Sequence, residues 1–301
     1  MSTKKIRSGS NHILLWFILF TVIAALLYVR FFAPSDGTER IDPDGRLLIH
    51  FIDVGQGDCT LITAPTGESI LIDAGPGDFK YSVRRYLDVQ HIRHLDYVVF
   101  THPHEDHIGG GAVVVMNYKI DSILMPDITS NAATFRNLLE AIEEKDVPVT
   151  VPKPGDRYTL GEATITVLSP LREQYDSVND TSIVLRIEYG KTAFMLTGDA
   201  GESAEADILR TYDADEYLKS DVLKTGHHGS SSSTSTAWLE AVSPSIAVIS
   251  CGKDNAFGHP HGETLARLER AGVTVYRTDL DGTVVLSSDG QTVSVIRPSA
   301  K

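Results

Sequence analysis

Thr101-His102-Pro103-His104-Glu105-Asp106-His107-Ile108-Gly109-Gly110 decides the reading of this sequence. It follows the apolar run Tyr97–Thr101, which reads as a strand. Five of its side chains, within six positions, carry imidazole or carboxylate. A strand-to-loop transition lets residues 102, 104 and 106–107 converge, and Asp106 and His107 fall at a helix start. Imidazole and carboxylate are the ligands of borderline and hard divalent metals. His102, His104, Asp106 and His107 are therefore candidate ligands. A plain polar turn would have little use for three histidines and an aspartate at this spacing.

Outward from this run, other apolar strands end in residues of the same kind. Leu71-Ile72-Asp73-Ala74-Gly75 ends in Asp73, which either caps a turn or buttresses a ligand histidine through its free ring nitrogen. Phe194–Asp199 ends in Asp199, a carboxylate suited to bridging two metals, and Val222–Ser230 delivers His227 and His228. Gly258-His259-Pro260-His261 is a third histidine patch. There His259 is a candidate for contact with a substrate phosphate or leaving group, and His261 reads as solvated. Asp180, in Asn179-Asp180-Thr181-Ser182, is a turn residue or a weak ligand. Active sites of open α/β folds lie at the carboxyl ends of strands.

The element pattern fits such a site. Short strands with glycine loops open each half, followed by alternating strand and helix. Helices are expected near 79–89, from 106, at 134–142 (stripe Phe135, Leu138, Leu139, Ile142), 202–212, 236–242 and 260–271. A hairpin is expected from Ser182–Tyr189 and Thr192–Thr197 around Gly190-Lys191. Two strand sets that need each other and outer helices predict a four-layer αββα sandwich of the α/β class.

These motifs resemble the metallo-β-lactamase superfamily, whose HxHxDH signature is matched by residues 102–107. More narrowly, Asp53-Val54-Gly55-Gln56-Gly57-Asp58, Asn179–Ser182, Thr197-Gly198-Asp199, the segment 223–230 and Gly258-His259-Pro260 resemble the extracellular hydrolase domain of the ComEC competence proteins. The resemblance covers residues 46–298, without the multispan channel region of that family. It implies that His102 and His104 hold one metal and that Asp106, His107 and His227 hold a second, with Asp199 bridging. No histidine matches the superfamily's third motif, and Asp180 is the expected substitute. Asp73 would support a ligand from behind, and His228 and His259 would touch substrate. The implied cofactors are two divalent ions, zinc or manganese. They would lower the pKa of the attacking water, orient it and neutralise charge on a phosphodiester. The implied activity is an extracellular deoxyribonuclease linked to DNA uptake, with DNA or another phosphodiester and competence-machinery proteins as partners. Hydrolysis of small or surface-attached phosphoesters is the alternative, and a non-catalytic metal-binding module of an uptake complex is another.

The N-terminus reads differently. Ile13–Val29 carries no charge, and the basic residues Lys4, Lys5 and Arg7 precede it. At 1.5 Å per residue this run gives roughly 26 Å, the short end of a spanning helix. A cleaved signal peptide and a buried helix compete with an anchor. The anchor reading divides the chain into a cytoplasmic N-terminus (1–12), a transmembrane helix (13–32), a linker (33–45) and a hydrolase domain (46–298). The cytoplasmic membrane would then be a partner, and the catalytic domain would lie outside the cytoplasm. Beyond residue 32 there are 23 Lys/Arg against 40 Asp/Glu, a net −17. That balance opposes non-specific nucleic-acid binding. Cys59 and Cys251, the only cysteines, both sit in apolar strand patterns and read as separate buried thiols.

Overall fold

Two covered sheets form because their central strands, such as Leu47–Phe51, Ser69–Ile72, Thr192–Leu196 and Ile246–Ile249, are buried along nearly their whole length, a pattern stable only when both faces are covered. The computed structural model describes Trp16, Ile18, Leu19, Thr21 and residues 39–296. The first sheet takes β1 (Leu47–Phe51), β2 (Thr60–Thr63), β3 (Ser69–Ile72), β4 (His94–Val99), β5 (Lys119–Leu124) and β6 (Val149–Thr150). The second takes β7 (Arg157–Leu160), β8 (Ala163–Ser169), β9 (Val184–Tyr189), β10 (Thr192–Leu196), β11 (Val222–Lys224), β12 (Ile246–Ile249) and β13 (Thr274–Arg277). The chain then returns to the first sheet with β14 (Val284–Ser288) and β15 (Val293–Ile296). The spatial orders are β15-β14-β1-β2-β3-β4-β5-β6 and β13-β12-β11-β10-β9-β8-β7.

Alternate residues of each strand sort into layers. Leu47, Ile49 and Phe51 of β1 join Ile165, Leu185, Phe194 and Val222 of the second sheet in an inner core. The opposite face of the first sheet (Leu61, Leu71, Val98, Ile123) packs on α1 (Lys80–Val89), α2 (Gly111–Asn117) and α3 (Ala133–Lys145). The outer face of the second (Val184, Met195, Leu223, Ala247) packs on α4 (Glu202–Thr211), α5 (Thr236–Val242) and α6 (Gly262–Arg270). This is an αββα sandwich. Each Leu, Ile or Phe fully buried in it contributes about 1.5–3 kcal/mol.

Local expectations are refined at three places. In α3 the buried stripe is Phe135, Leu138, Ala141 and Ile142, while Leu139 is 42% exposed. The helix expected at 260–271 begins at Gly262, two residues after Pro260. The Gly190-Lys191 hairpin pairs Thr192 with Tyr189, with Gly190 in the left-handed region. Both cysteines are buried and free.

The N-terminal expectation is corrected. Glu39–Ala300 forms one compact unit, apart from the N-terminal segment that carries the uncharged run. Among the described residues no helix is long and apolar enough to cross a membrane. The spanning helix at 13–32, the membrane as partner and a domain anchored outside the cytoplasm are therefore withdrawn. At 17 residues the uncharged run sits at the lower limit of the roughly 17–25 that a spanning helix needs. Of that segment all but Trp16, Ile18, Leu19 and Thr21 lies outside the described residues, as does the basic stretch 1–12.

Candidate active site

Parallel pairing in both sheets puts several carboxyl ends on common edges: β3, β4 and β5 in the first, β10, β11 and β12 in the second. The loops that leave them carry the site. Asp73 leaves β3 with φ 57°, and its amide donates to Val99 O. Its carboxylate accepts from Thr101 N (2.8 Å) and Thr101 Oγ1 (2.7 Å), and its Oδ2 lies 2.7 Å from His107 Nδ1. Asp73 thus fixes the loop after β4 and turns His107 Nε2 away from itself.

Asp199 is the centre of the cluster. Its Oδ1 lies 3.3 Å from His107 Nε2 and 3.6 Å from His228 Nε2. Its Oδ2 lies 3.7 Å from His102 Nε2 and 3.8 Å from His227 Nε2. Asp106 Oδ2 sits 3.2 Å from His228 Nε2, on the Oδ1 side. His104 Nδ1 sits 3.0 Å from His102 Nε2, and its residue is exposed. The two oxygens of one buried carboxylate thus face two different sets of imidazoles.

Adjacent histidines reach opposite oxygens because of their backbone. His227 (φ 45°) and His228 (φ 54°) are both left-handed, a conformation that costs a non-glycine residue of order 1–3 kcal/mol. The turn is held by Gly226 N donating to Thr234 Oγ1, Ser233 Oγ to Gly226 O and Ser230 N to His227 O. Close backbone approach is also built in at Gly57, where an added Cβ would lie 2.4 Å from Asp106 O.

Two residues in this site had no role assigned from the sequence. Lys224, at the end of β11, is 3% exposed, and its Nζ lies 2.6 Å from Asp58 Oδ2. The ammonium also donates to Thr225 O (2.9 Å) and Gly198 O (3.2 Å). Asp58 Oδ1 is 3.4 Å from His228 Nδ1, which donates to Ser250 O (3.0 Å). Asp58 closes the Asp53–Asp58 motif and Lys224 precedes the histidine turn. Their sequence signal was a charged residue at the edge of an apolar strand.

Asp180 does not join the cluster. Its Oδ1 accepts from Gly201 N (2.9 Å) and Ala204 N (3.4 Å), where it caps α4. Among the described residues Asp180, like His104 and His227, belongs to none of the tight His/Asp groupings that could hold a metal, but unlike them it makes no contact with the Asp199 cluster and is engaged by the start of α4. His261 is not simply solvated, because its Nδ1 accepts from Ser231 N (2.9 Å). His259 borders the cluster, with its ring 5.2 Å from that of His227 and 6.2 Å from that of His228. Gln56 Oε1 accepts from Gly252 N (3.0 Å), so its Nε2 faces His259 Nδ1 at 3.5 Å, the long limit of a hydrogen bond. That tautomer leaves Nε2–H as the His259 donor.

Electrostatics separate the imidazoles. Burial alone would lower His228, but the Asp199 and Asp58 carboxylates raise it to about 10. Burial likewise opposes charge on His107, and Asp199 and Asp73 carry it well above the usual value. His102 is held well below by burial and the neighbouring His107. Burial and the nearby His227 and His228 lower His259 to about 4. The carboxylates that hold a proton on His107 and His228 would hold a metal ion in its place, with the imidazoles neutral. His107 Nε2 and Asp199 Oδ1 are buried without a hydrogen bond, although they face each other. The His102–His107–Asp199 and Asp106–His107–His228 groups each bring three ligand atoms within 4.8 Å of one another. Neutral imidazole and carboxylate donors fit zinc or manganese.

A family model described as the metallo-beta-lactamase superfamily matches residues 52–253. The chain belongs to the metallo-beta-lactamase superfamily. Its fold agrees with that of the metallo-beta-lactamase fold protein YhfI from Bacillus subtilis, with TM-score 0.55 at 15% identity, covering 81% of this chain and all of that one. It is a metal-dependent hydrolase of that superfamily, and its His/Asp clusters form a binuclear metal-binding site. The chain is 32% identical over 254 residues to ComE operon protein 3 of Bacillus subtilis, covering 78% of this chain and 32% of that protein. It is 31% identical over 238 residues to Recombination protein 2 of Haemophilus influenzae, covering 77% and 28%. Competence protein ComA of Neisseria gonorrhoeae matches at 30% over 244 residues, covering 80% and 32%. The chain spans about a third of the length of these relatives. The narrower resemblance is thus corrected: it extends over several competence-related proteins and does not single out ComEC.

Proposed function

We propose that this hydrolase cleaves phosphodiesters and that its substrate is DNA. The observation that carries the reading is the division of Asp199 between two imidazole sets. His102, His104 and His227 would hold one ion on the Oδ2 side, and Asp106, His107 and His228 a second on the Oδ1 side. In this reading His227 replaces Asp180 as the missing third ligand of the first ion, and His228 replaces His227 at the second. Two ions so held supply an activated water and neutralise charge on a phosphodiester in flight.

The chain's own residues do the rest. Asp199 sets the separation of the two imidazole sets and orients what lies between them. Asp73 holds His107 in one tautomer, and Asp58 with Ser250 O does the same for His228 from the far side of the ring. His259, with Nδ1 occupied by Gln56, offers Nε2–H to a phosphoryl oxygen outside the ligand set. Likeness to competence and recombination proteins supports DNA as substrate. The net −17 favours a second reading, hydrolysis of small phosphoesters, because it weakens steering of a polyanion.

A chelated sample reloaded with zinc or manganese and offered single-stranded DNA, duplex DNA and a small phosphodiester tests the proposal. Metal-dependent cleavage of DNA is expected. Turnover of the small ester alone would decide for the second reading.

A further inference from the structure

Phe257 stands beside this centre with 65% of its surface exposed. It does not sit on a loose tip. Asn255 Oδ1 accepts from Phe257 N (3.2 Å) and His259 N (3.0 Å), and Asn255 Nδ2 donates to Gly252 O (2.9 Å) and His259 O (2.6 Å). His261 Nε2 lies 3.2 Å from Phe257 O, and His261 N donates to Gly229 O (3.0 Å), next to the histidine turn. A loop this heavily bonded could bury or omit an aromatic ring, yet it holds one in solvent. The ring is nearly parallel to that of His259, with centroids 5.7 Å apart and planes inclined by 23°. His259 in turn stands edge-on to His227, 5.2 Å away. An unbroken row of rings therefore runs from Asp199 outward to Phe257.

We propose that Phe257 is a stacking platform for an unpaired base of single-stranded nucleic acid whose neighbouring phosphate enters the His/Asp centre. Resting on the phosphodiesterase reading, this adds the form of the substrate. An aromatic face binds any base by stacking, without reading sequence, and needs no positive charge. Affinity for a polyanion on an acidic domain then comes from base faces as well as from the metal centre. A duplex offers no such face, since its bases are stacked on one another.

The test is anisotropy of two labelled, phosphorothioate-linked oligomers of equal length, one of thymidines and one fully abasic, with the metal-loaded protein. Wild type should prefer the thymidine oligomer. Phe257→Ala should weaken that binding by about 5- to 150-fold, the range of one lost base–aromatic stack. It should leave the abasic oligomer and the thermal midpoint unchanged, and Phe257→Tyr should bind as wild type does. Equal binding of both oligomers by wild type, an unchanged Phe257→Ala, or an equal loss on both oligomers would each overturn the platform; the first two would also leave the exposed ring free for a protein partner. Turnover of ordinary phosphodiester-linked DNA is read separately. Base-dependent binding without cleavage would overturn the phosphodiesterase reading and keep the platform, whereas cleavage without base-dependence would do the reverse.

Discussion

Replacing Lys224 by methionine removes a cation from a place water does not reach. The ammonium and the Asp58 carboxylate are each 3% exposed as side chains and 2.6 Å apart. Burial works against the Asp58 charge, but Lys224 and then His228 hold its carboxyl well below the usual range. Methionine fills similar volume, so packing is largely kept and what is lost is the charge together with its hydrogen bonds to Gly198 O and Thr225 O. Removing one partner of a buried pair typically costs about 3–5 kcal/mol, because the other charge stays buried and uncompensated. For a domain of this size that corresponds to a fall in Tm of about 6–20 °C. The sign with pH follows from the lowered pKa: the carboxylate's contribution is present above its unfolded value of about 3.9 and is lost as pH falls through the folded value. Urea unfolding at pH 7 and fixed metal concentration measures the cost for Lys224→Met, Asp58→Asn and the double variant. The double variant should lose much less than the sum of the singles. Single variants within about 1 kcal/mol of wild type, or an additive double variant, would refute the argument that this pair supports His228 from behind.

Asp199→Ala should lose bound metal and nearly all hydrolysis, while His259→Ala should keep metal and slow turnover; metal stoichiometry and initial rates decide, and metal loss in the His259 variant would make it a ligand. Asp73→Ala should weaken metal affinity by about 10- to 100-fold through a misoriented His107, read by competition with a chelator. Glu205 accepts from the amides of Thr234 and Ser235, and burial pushes its carboxyl to about 7. Because the folded state then holds the proton more tightly, stability should decline as pH rises from about 4.5 towards 7. Glu205→Gln should flatten urea midpoints across that window, at a cost of about 1–3 kcal/mol for the amide left without an acceptor.

What was legible in the sequence is what neighbours in sequence decide. The 102–107 run shows itself because strand, loop and ligand-type residues are contiguous, and short continuous apolar runs announce sheets covered on both faces. Less was legible where distant segments meet. Asp180 looks like a ligand until its partners are found 21 and 24 positions away at the start of α4. Asp58 and Lys224 are separated by 166 positions, and neither has a local reason to be buried. The division between His227 and His228 depends on two consecutive left-handed residues, which nothing in Gly-His-His-Gly dictates by itself. Periodicity alone also favoured Leu139 over Ala141, since it scores hydrophobicity and not the lean of a side chain toward its neighbours.

The pairing of β1 with β14 has a consequence for how the molecule is made. Phe51 meets Val284 across the first sheet, so one neighbour of the first strand is synthesised 233 positions later. At 5–20 residues per second, β1 waits roughly 10–50 s on the ribosome with one row of amides and carbonyls bonded to water and not yet to a strand. Contacts this remote slow folding, and an open apolar edge invites pairing with other nascent chains. Biogenesis of this enzyme is thus most vulnerable before β14 and β15 emerge, after the metal-ligating loops have been translated.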